Sequence, residues 1–437
     1  MTKENTTAIR GKLLWFTDNP FHEVPSDCMT HIQDGILLIQ NGKITACGPA
    51  DDIMPHIPEG INLDNYPDHI IMPGFIDAHV HYPQVQIMGA YGKQLLDWLN
   101  DYTYPAEQSY AEPAHAKRNA EFFCDELLRN GTTTAASFCT VHPGSVDALF
   151  SAAEGRGMSM IAGKIMMDRN APDALLDTPE LAHEQCRELI ERWHGKGRNL
   201  YALTPRFAPS CTPELMAVAG ALRTEFPDVY VQSHLSENPA EIAWVKQLYP
   251  EHEGYLSVYD HYGLTGPRSL LGHGIHLTDD EWQSLSEKQT TLVHCPTSNL
   301  FLGSGLFDLA RSQSPDYPVP LALGTDVGAG TSLSLLTTLG EAYKVAQQKG
   351  TTLTAFLGFY LITLGAARAL YLDHDIGSFE IGTTGDVVIL NPNATALLRH
   401  RMTFTNNLEE MLFILMTIGD DRVIEATYTA GIKHKFC

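Results

Sequence analysis

Short apolar runs alternate with amphipathic stretches through the middle of the chain. The stretches 179–194 and 239–248 carry apolar residues at spacings of three and four, as surface helices do. Each such stretch follows a β-like run, and this order predicts parallel strands joined by helical crossovers. Eight units of this kind fit a closed (β/α)8 TIM barrel, although a doubly wound sheet gives the same local pattern. The eight β-like runs are 70–81, 132–138, 158–167, 200–207, 229–234, 269–275, 291–295 and 320–326.

Both chain ends carry a β-like pattern without intervening helices. Apolar-rich segments at 36–40 and 43–47 are joined by Asn41-Gly42, a dipeptide that supplies the positive φ of a tight hairpin turn. Similar short runs occur at 386–390 and 424–428. We therefore predict one small sheet domain to which both ends contribute. The predicted division of the chain is 1–70 and 374–437 for this domain, and 71–373 for the barrel.

Composition and charge narrow the classes of function. The chain has 437 residues, of which 44% are hydrophobic and 19% charged, as expected for a folded barrel with an appended domain. The formal charge of −23, with no basic run to offset it, argues against nucleic acid polymers and anionic membranes as partners. The first 30 residues lack an apolar stretch of signal-peptide length, which predicts a cytoplasmic protein. The 8 cysteines form no CxxC pair, so neither a disulfide framework nor a cysteine zinc site is expected.

Histidines and one aspartate fall at the ends of the predicted strands. His79 and His81 are two residues apart on the first strand, so their side chains point to the same face. His234, His273 and Asp326 end the fifth, sixth and eighth strands, and barrels place their active sites at this edge. Imidazole nitrogens with one carboxylate suit zinc with an open position for water. The strand ends therefore predict a metal centre and favour the barrel.

Four short motifs carry a resemblance to a known family. They are PGFIDAHVH at 73–81, SHLSE at 233–237, GHG at 272–274 and GTD at 324–326. Together they resemble the amidohydrolase superfamily, and the resemblance covers almost the whole chain. It implies a metal-bearing barrel beside a β-sandwich made from both chain ends, which agrees with the terminal strands described above.

The same resemblance implies a ligand set and a metal count. Two-metal members carry a modified, bridging lysine on the fourth strand, where this sequence has Thr204-Pro205-Arg206. Lys164 lies in the third strand, and we expect it to face a helix or to form an ion pair. One Zn²⁺ per chain is therefore expected. Its ligands would be His79, His81, His234 and Asp326.

The motif SHLSE also supplies a group for proton transfer. Zinc lowers the pKa of bound water toward neutrality, which provides a nucleophile for an electron-poor amidine or amide carbon. Glu237 follows His234 by three residues, and we assign it as the general acid/base that moves a proton from water to a ring nitrogen and then to the leaving ammonia. Without the motif, Glu237 would be a helix-start carboxylate favoured by the helix dipole. By resemblance, Asp326 also accepts the proton of water, and His273 stabilises the tetrahedral centre.

Residues near three strand ends point to a purine substrate. The motifs HYPQ at 81–84, PRFAP at 205–209 and CPTSNL at 295–300 resemble the superfamily members that deaminate guanine. Gln84 offers one acceptor and two donors to the mixed edge of a purine, Arg206 can donate to its carbonyl oxygen, and Phe207 can stack on the ring. Taken singly, these residues could equally be a loop amide, a salt-bridging arginine and a core aromatic. Three of the metal ligands are expected to contact the substrate as well, namely His81, His234 and Asp326.

Other features stay open between structural and functional roles. The apolar run at 95–99 could form a lid or one wall of the site, but an ordinary amphipathic helix is preferred. His276 is interpreted as a surface histidine or as part of the surroundings of His273. His294 and Cys295 are expected to shape the end of the seventh strand and not to act as nucleophiles.

The expected activity is hydrolysis of guanine to xanthine and ammonia. Deamination or dechlorination of another amino-heterocycle, such as an adenine derivative or a triazine, is the alternative within the same fold. A barrel without catalytic activity that serves as an assembly scaffold is the alternative from another class, and retention of the four ligands and Glu237 argues against it. The resemblance also suggests a homodimer.

Overall fold

The computed structural model describes residues 6–21, 23–24, 27–92 and 94–435. Its strands are β1 (Thr6–Phe16), β2 (Met29–Gln40), β3 (Lys43–Pro49), β4 (Leu63–Pro73), β5 (Phe75–His81), β6 (Thr132–Phe138), β7 (Ser159–Gly163), β8 (Ile165–Met166), β9 (Asn199–Pro205), β10 (Tyr230–Leu235), β11 (Ser269–His273), β12 (Thr291–His294), β13 (Leu321–Leu323), β14 (Val387–Leu390), β15 (Ile424–Thr429) and β16 (Ile432–Lys433). Its α-helices are α1 (Ala50–Ile53), α2 (Leu95–Trp98), α3 (Tyr104–Gln108), α4 (Pro113–Arg129), α5 (Pro143–Glu154), α6 (Pro179–Trp193), α7 (Pro213–Glu225), α8 (Pro239–Leu248), α9 (Tyr255–His261), α10 (Asp279–Lys288), α11 (Pro296–Phe301), α12 (Leu309–Ser312), α13 (Leu335–Gln348), α14 (Ala355–Leu361), α15 (Leu364–Ala369), α16 (Ala396–Met402) and α17 (Leu408–Ile418). Within these ranges, no helix is both long enough and apolar enough to cross a membrane.

The central part of the chain forms the predicted barrel. Its strands are parallel and follow the order β5-β6-β7-β9-β10-β11-β12-β13, with the short β8 paired beside β9. The last strand returns to the first through hydrogen bonds of 2.8 Å from Asp326 N to His79 O and from His81 N to Val327 O. Each of the eight predicted runs overlaps a strand of this sheet. The prediction of a (β/α)8 barrel is therefore confirmed.

The first predicted run, 70–81, is divided because the chain leaves one sheet and enters another. It spans the end of β4 and the whole of β5, with Gly74 between them. Gly74 N donates to Asp386 O at 2.9 Å, and a Cβ at Gly74 would lie only 2.2 Å from Thr133 Oγ1. Only glycine can hold this crossing without moving the neighbouring strand.

The run 158–167 is divided at Lys164, which lies between β7 and β8. The Lys164 N–H donates to the Tyr201 hydroxyl at 3.3 Å, so the strand ladder is interrupted at this residue. The ammonium group of Lys164 is buried and forms an ion pair with Asp177. The ion-paired role predicted for this lysine is thus confirmed.

Strands from both chain ends form one seven-stranded sheet, as predicted. Its order is β16-β15-β14-β4-β1-β2-β3, in which β1 and β4 are parallel and the other neighbours antiparallel. The β2–β3 hairpin turns at Asn41 and Gly42 with φ of 51° and 81°, which confirms the turn predicted from that dipeptide. The domain limits 1–70, 71–373 and 374–437 stay a prediction, and β4 extends across the first of them.

Apolar side chains fill the barrel interior beneath the strand ends. Each of the eight strands contributes at least one buried residue to a single cluster, as in the layered interiors of such barrels. Helix α15 closes the opposite end through Ala366 and Ala367, which pack on the same cluster. The cluster includes, from the eight strands in turn, Ile76, Ala136, Ile161, Ala202, Tyr230, Leu270, Val293 and Ala322.

An ion pair between the partly buried Arg198 and the buried Asp386 joins the barrel to the terminal sheet. Arg198, directly before β9, donates to the two carboxylate oxygens of Asp386 at 2.9 and 2.6 Å. Asp386 is 4% exposed and also accepts from Ala430 N at 2.9 Å. Removing one partner of such a pair leaves the other charge buried and uncompensated.

We expect Asp386→Asn to lower the free energy of unfolding by about 3 kcal/mol, because Arg198 loses its counter-charge. Urea denaturation followed by circular dichroism measures this change. The matched control is Asp34→Asn, which removes an exposed ion pair with Arg10 and should cost less than about 1 kcal/mol. Equal losses in the two variants would contradict a special role for the buried pair.

Candidate active site

Four potential metal ligands meet at the carboxyl end of the barrel strands. His79 and His81 lie at the end of β5, His234 lies in β10, and Asp326 follows β13. One ligand atom from each residue lies within 4.8 Å of the others. Asp326 Oδ1 is 3.3 Å from His79 Nε2 and 3.2 Å from His81 Nε2, and His234 Nε2 is 3.3 Å from His81 Nε2. The structure thus brings together the four residues that the sequence assigns to the metal.

Hydrogen bonds from outside the cluster orient its members. His234 Nδ1 lies 2.6 Å from the backbone oxygen of Arg206. Because a carbonyl oxygen only accepts, Nδ1 carries the proton and Nε2 presents its lone pair to the cluster. The Asp77 carboxylate accepts from Thr325 N at 3.0 Å, from Thr325 Oγ1 at 2.6 Å and from His79 N at 3.2 Å. Asp77 therefore ties the segment that carries two histidines to the residue before Asp326.

The protonation states of the cluster fit a metal ion. Burial lowers the pKa of His81 to about 3, and burial together with the neighbouring histidines holds the pKa of His234 well below its usual range. Burial acts to raise the pKa of Asp326, but His79 and His81 outweigh this effect and hold it well below its usual range. Neutral imidazoles and an ionised carboxylate are the forms that bind metal.

A buried nitrogen that makes no hydrogen bond also fits a bound cation. Among the residues that the structure describes, His79 Nε2 is buried and makes no hydrogen bond, and the Asp326 Oδ1 that lies 3.3 Å away belongs to the same cluster. A buried polar atom without a partner is uncommon in a folded protein, and coordination of a metal ion would satisfy this nitrogen. The donor set of three imidazoles and one carboxylate is typical of divalent transition metals.

A glutamate and a histidine lie beside the cluster, as the sequence predicts. Glu237 Oε2 is 3.4 Å from His273 Nε2, which is 3.8 Å from Asp326 Oδ2. His273 Nδ1 lies 2.8 Å from Asn299 Oδ1, an acceptor, so the ring proton sits on Nδ1. Ser304 Oγ donates to Glu237 Oε1 at 3.0 Å. The surroundings thus fix both the carboxylate of Glu237 and the ring of His273.

The environment of Glu237 suits proton transfer. Burial and the negative charge of Asp326 raise the pKa of Glu237 to about 8, against the opposing effect of the Ser304 hydrogen bond. A carboxyl group that titrates near neutral pH can both accept and release a proton. The backbone of its loop is held by the buried Glu241, whose Oε2 accepts from Glu237 N at 3.0 Å and from Asn238 N at 3.2 Å.

Three residues at the site hold backbone angles that non-glycine residues seldom adopt. Ser236, His273 and Asp326 have φ of 48°, 72° and 50°. Such conformations persist where the surrounding structure holds them in place, and they cluster at functional sites. At Asp326, the backbone N–H is fixed by its bond to His79 O, so the carboxylate stays directed at the histidines.

A cavity opens beside the cluster. Gln84, Arg206 and Phe207, three of the residues predicted to contact a purine, all line it. Leu95, Trp98 and Leu99 form part of its apolar wall together with further side chains, Leu302 and Ala329. The run 95–99 therefore forms a wall of the site, and the preferred interpretation of an ordinary amphipathic helix was wrong.

The reason for that error is local. Helix α2 is a single turn and continues into a π-helical turn at Leu99–Thr103. Its apolar residues face the cavity, whereas those of an ordinary amphipathic helix would pack along a neighbouring element. π-helical turns of this kind occur frequently at functional sites. Apolar spacing over five residues cannot distinguish these arrangements.

Sequence reasoning assigned no role to several buried polar residues of the site, among them Glu107, Glu241 and Ser304. No motif marks Glu107, which contacts Arg206 and Gln84 from helix α3. Glu241 is the fourth residue after Glu237, where a capping box at the start of α8 could have drawn attention to it. Ser304 lies between two glycines with φ of 68° and 142°, a sign of a tight loop.

The remaining candidates take structural positions. His276 Nε2 lies 2.8 Å from Ser304 O, and the His294 ring stacks on Phe307 with 4.5 Å between ring centroids. Cys295 Sγ lies within 4.8 Å of ligand atoms of His273 and Asp326. Burial raises the pKa of this thiol well above its usual range, which makes it a poor nucleophile.

Known proteins share both the fold and the length of this chain. The model of the amidohydrolase family matches residues 70–432. Guanine deaminase of Escherichia coli strain K12 is 51% identical over 435 residues, which cover 99% of this chain and 98% of that protein. The structure of E. coli guanine deaminase matches with a TM-score of 0.95 at 49% identity, over 98% of this chain and 99% of that one. The structure of guanine deaminase from C. acetobutylicum with guanine bound in its active site matches with a TM-score of 0.87 at 31% identity, over 98% of this chain and 100% of that one. The chain therefore belongs to the amidohydrolase family and, within it, to the guanine deaminases.

Proposed function

We propose that the chain catalyses the hydrolysis of guanine to xanthine and ammonia. The observation that carries the proposal is a single cavity that combines a histidine–aspartate metal cluster, a glutamate whose pKa is raised to about 8, and polar side chains suited to a purine edge. The guanine deaminases to which the chain is 51% and 31% identical support the same substrate.

We assign one Zn²⁺ per chain to the cluster of His79, His81, His234 and Asp326. Three imidazoles and a carboxylate suit this ion. When bound, zinc supplies the Lewis acidity that makes a water molecule nucleophilic near neutral pH. A second, bridged metal is not expected, because the end of β9 carries Thr204 and Pro205, followed by Arg206, where two-metal members have a lysine.

Glu237 is the proposed general acid/base. Its carboxylate accepts a proton from water as the water oxygen adds to the ring carbon that bears the amino group. Glu237 then delivers this proton to the adjacent ring nitrogen, and a second transfer to the amino group releases ammonia. By the family resemblance, Asp326 provides a further acceptor for the proton of water.

His273 stabilises charge that develops during this addition. Its Nδ1–H is donated to Asn299, so Nε2 is the ring atom that faces Glu237 and Asp326. In the form of His273 that carries a proton on both ring nitrogens, Nε2–H can be donated to the oxygen of the tetrahedral centre.

Substrate selection is assigned to Gln84, Arg206 and Phe207. The primary amide of Gln84 pairs with the mixed donor and acceptor edge of guanine, and Arg206 donates to its carbonyl oxygen. Phe207 packs on the ring. His81, His234 and Asp326 line the same cavity and complete the contacts to the substrate.

We also expect a cytoplasmic homodimer. The dimer rests on the family resemblance. Sedimentation velocity and cell fractionation test the two expectations separately.

We expect one zinc per purified chain. Removing it with a chelator should abolish ammonia release from guanine, and one equivalent of Zn²⁺ should restore it, because the metal provides the nucleophile. Elemental analysis and a steady-state assay measure both. Two metals per chain at full activity would refute the single-metal assignment.

Glu237→Gln should keep the metal and lower kcat by roughly 10²- to 10⁴-fold, because the amide has the same shape but cannot carry the proton. Steady-state kinetics and elemental analysis test this. Glu188→Gln, at an exposed position on α6, is the control and should leave kcat unchanged. Near-normal kcat in the Glu237 variant would move the proton transfer to Asp326 or another group.

Gln84→Ala should lower kcat/KM for guanine by roughly tenfold to a hundredfold, because buried polar atoms of the purine lose a partner. Metal content should not change. The control is Gln86→Ala on the same turn, since Gln86 is exposed and donates to Ala106 O outside the cavity. A substrate panel that includes adenine and triazine derivatives then shows whether the loss is specific to guanine, and equal losses on all substrates would contradict the assigned role.

A further inference from the structure

Glu107 is a buried carboxylate that touches two of the residues assigned to the purine. It lies in the short helix α3, between β5 and β6, and is 0% exposed. Arg206 Nη1 donates to its Oε1 and Oε2 at 2.8 and 2.9 Å. Gln84 Nε2 donates to its Oε1 at 3.4 Å. One carboxylate therefore joins the amide and the guanidinium that face the substrate.

The contacts of Glu107 fix the orientation of the Gln84 amide. An ionised carboxylate only accepts hydrogen bonds, so the nitrogen of the amide must face Glu107. On the other side, Gly328 N donates to Gln84 Oε1 at 3.3 Å, which requires an oxygen there. Two partners of opposite polarity thus decide the amide orientation. What remains for a ligand is the second N–H of Nε2 and the second lone pair of Oε1.

The same carboxylate neutralises Arg206. This residue is 2% exposed, and its guanidinium stays charged at any physiological pH. Its Nη1 is used by Glu107, and its guanidinium carbon lies 5.7 Å from the centre of the Tyr104 ring. Without Glu107, the cavity would hold a buried cation without a counter-charge, and such a cation attracts anions strongly at low dielectric.

Arg206 also connects this arrangement to the metal cluster. Its backbone oxygen accepts the proton of His234 Nδ1 at 2.6 Å, while its side chain contacts Glu107. A shift of Arg206 would therefore move the purine subsite relative to a metal ligand. Because Glu107 holds the side chain of Arg206, it helps to set the position of the substrate relative to the metal ligand His234.

We propose that Glu107 is the positioning residue that sets purine specificity, because it fixes the atoms that Gln84 and Arg206 present and cancels the charge of Arg206. The subsite then favours neutral guanine over acidic purines such as xanthine, the product, so that the product leaves readily. This proposal rests on the proposed function, since guanine and xanthine are substrate and product only if the chain is a guanine deaminase.

The test compares Glu107→Gln, which removes the charge at nearly constant shape, with Glu107→Asp, which keeps it. The readouts are KM and kcat for guanine and the inhibition constant of xanthine, at a slightly alkaline pH where xanthine is more ionised than guanine. Metal content and Tm are measured for each variant. The control is Glu121→Gln at an exposed position on α4, which should match the wild type.

We expect Glu107→Gln to raise KM for guanine roughly tenfold and to tighten xanthine inhibition roughly tenfold, with a smaller effect on kcat. Glu107→Asp should raise KM for guanine. The ratio of this KM to the inhibition constant of xanthine should stay close to that of the wild type, because the charge is retained. A merely structural role would weaken the binding of guanine and of xanthine equally. Alternatively, it would lower Tm and metal content without changing the ratio of KM for guanine to the inhibition constant of xanthine. Either of these results in both variants overturns the proposal.

Failure of the proposed function has a different signature. If the wild-type protein releases no ammonia from guanine, binding of guanine and xanthine is compared through quenching of tryptophan fluorescence, since Trp98 lines the cavity. A shift of preference toward xanthine in Glu107→Gln would still support the role of Glu107. An unchanged preference would reject it.

Discussion

The hydrogen bonds of the buried Asp77 carboxylate are the constraint on which the site depends. They join β5 to the end of the last barrel strand through His79 and Thr325. Burial raises the pKa of Asp77 to about 6, and its three donors oppose that rise. Because the barrel closes at this point, Asp326 is brought against the histidines of the first strand. The contacts that close the barrel therefore also hold the metal cluster together.

A single physical cause, exclusion of water, prepares the chemical groups of the cavity. Burial disfavours charge, so it lowers the pKa of His81 and raises that of Glu237. The first effect leaves imidazole free to bind a metal, and the second lets a carboxyl group hold a proton near neutral pH. Asp326 stays ionised, because neighbouring histidines offset its burial. Ligands and acid/base thus acquire different protonation states in one environment.

The sequence by itself determined the architecture and the metal cluster. Strand β6 and helix α8 were predicted with the bounds that the structure has, since periodicity and turn residues are local properties. The carboxyl ends of parallel barrel strands meet at one edge, so residues at predicted strand ends must converge. That rule was sufficient to place His79, His234 and Asp326 together. His234 lies 155 positions after His79 in the sequence, and Asp326 lies 92 positions after His234. Local patterns and this rule predicted that these residues converge, and the resemblance to the amidohydrolase superfamily supplied the ligand set.

Only the tertiary structure decided which loop residues complete the cavity. Glu107 contacts Arg206 across 99 residues, and Ser304 contacts Glu237 across 67, and neither contact has a periodic pattern behind it. The wall at 95–99 and the strand break at Gly74 likewise depend on what packs against them. The path of a loop depends on how the barrel closes and on which hydrogen bonds the buried polar groups of the loop must make. Both are properties of the whole fold. The sequence therefore located the reaction, while the fold determined how its substrate pocket is held.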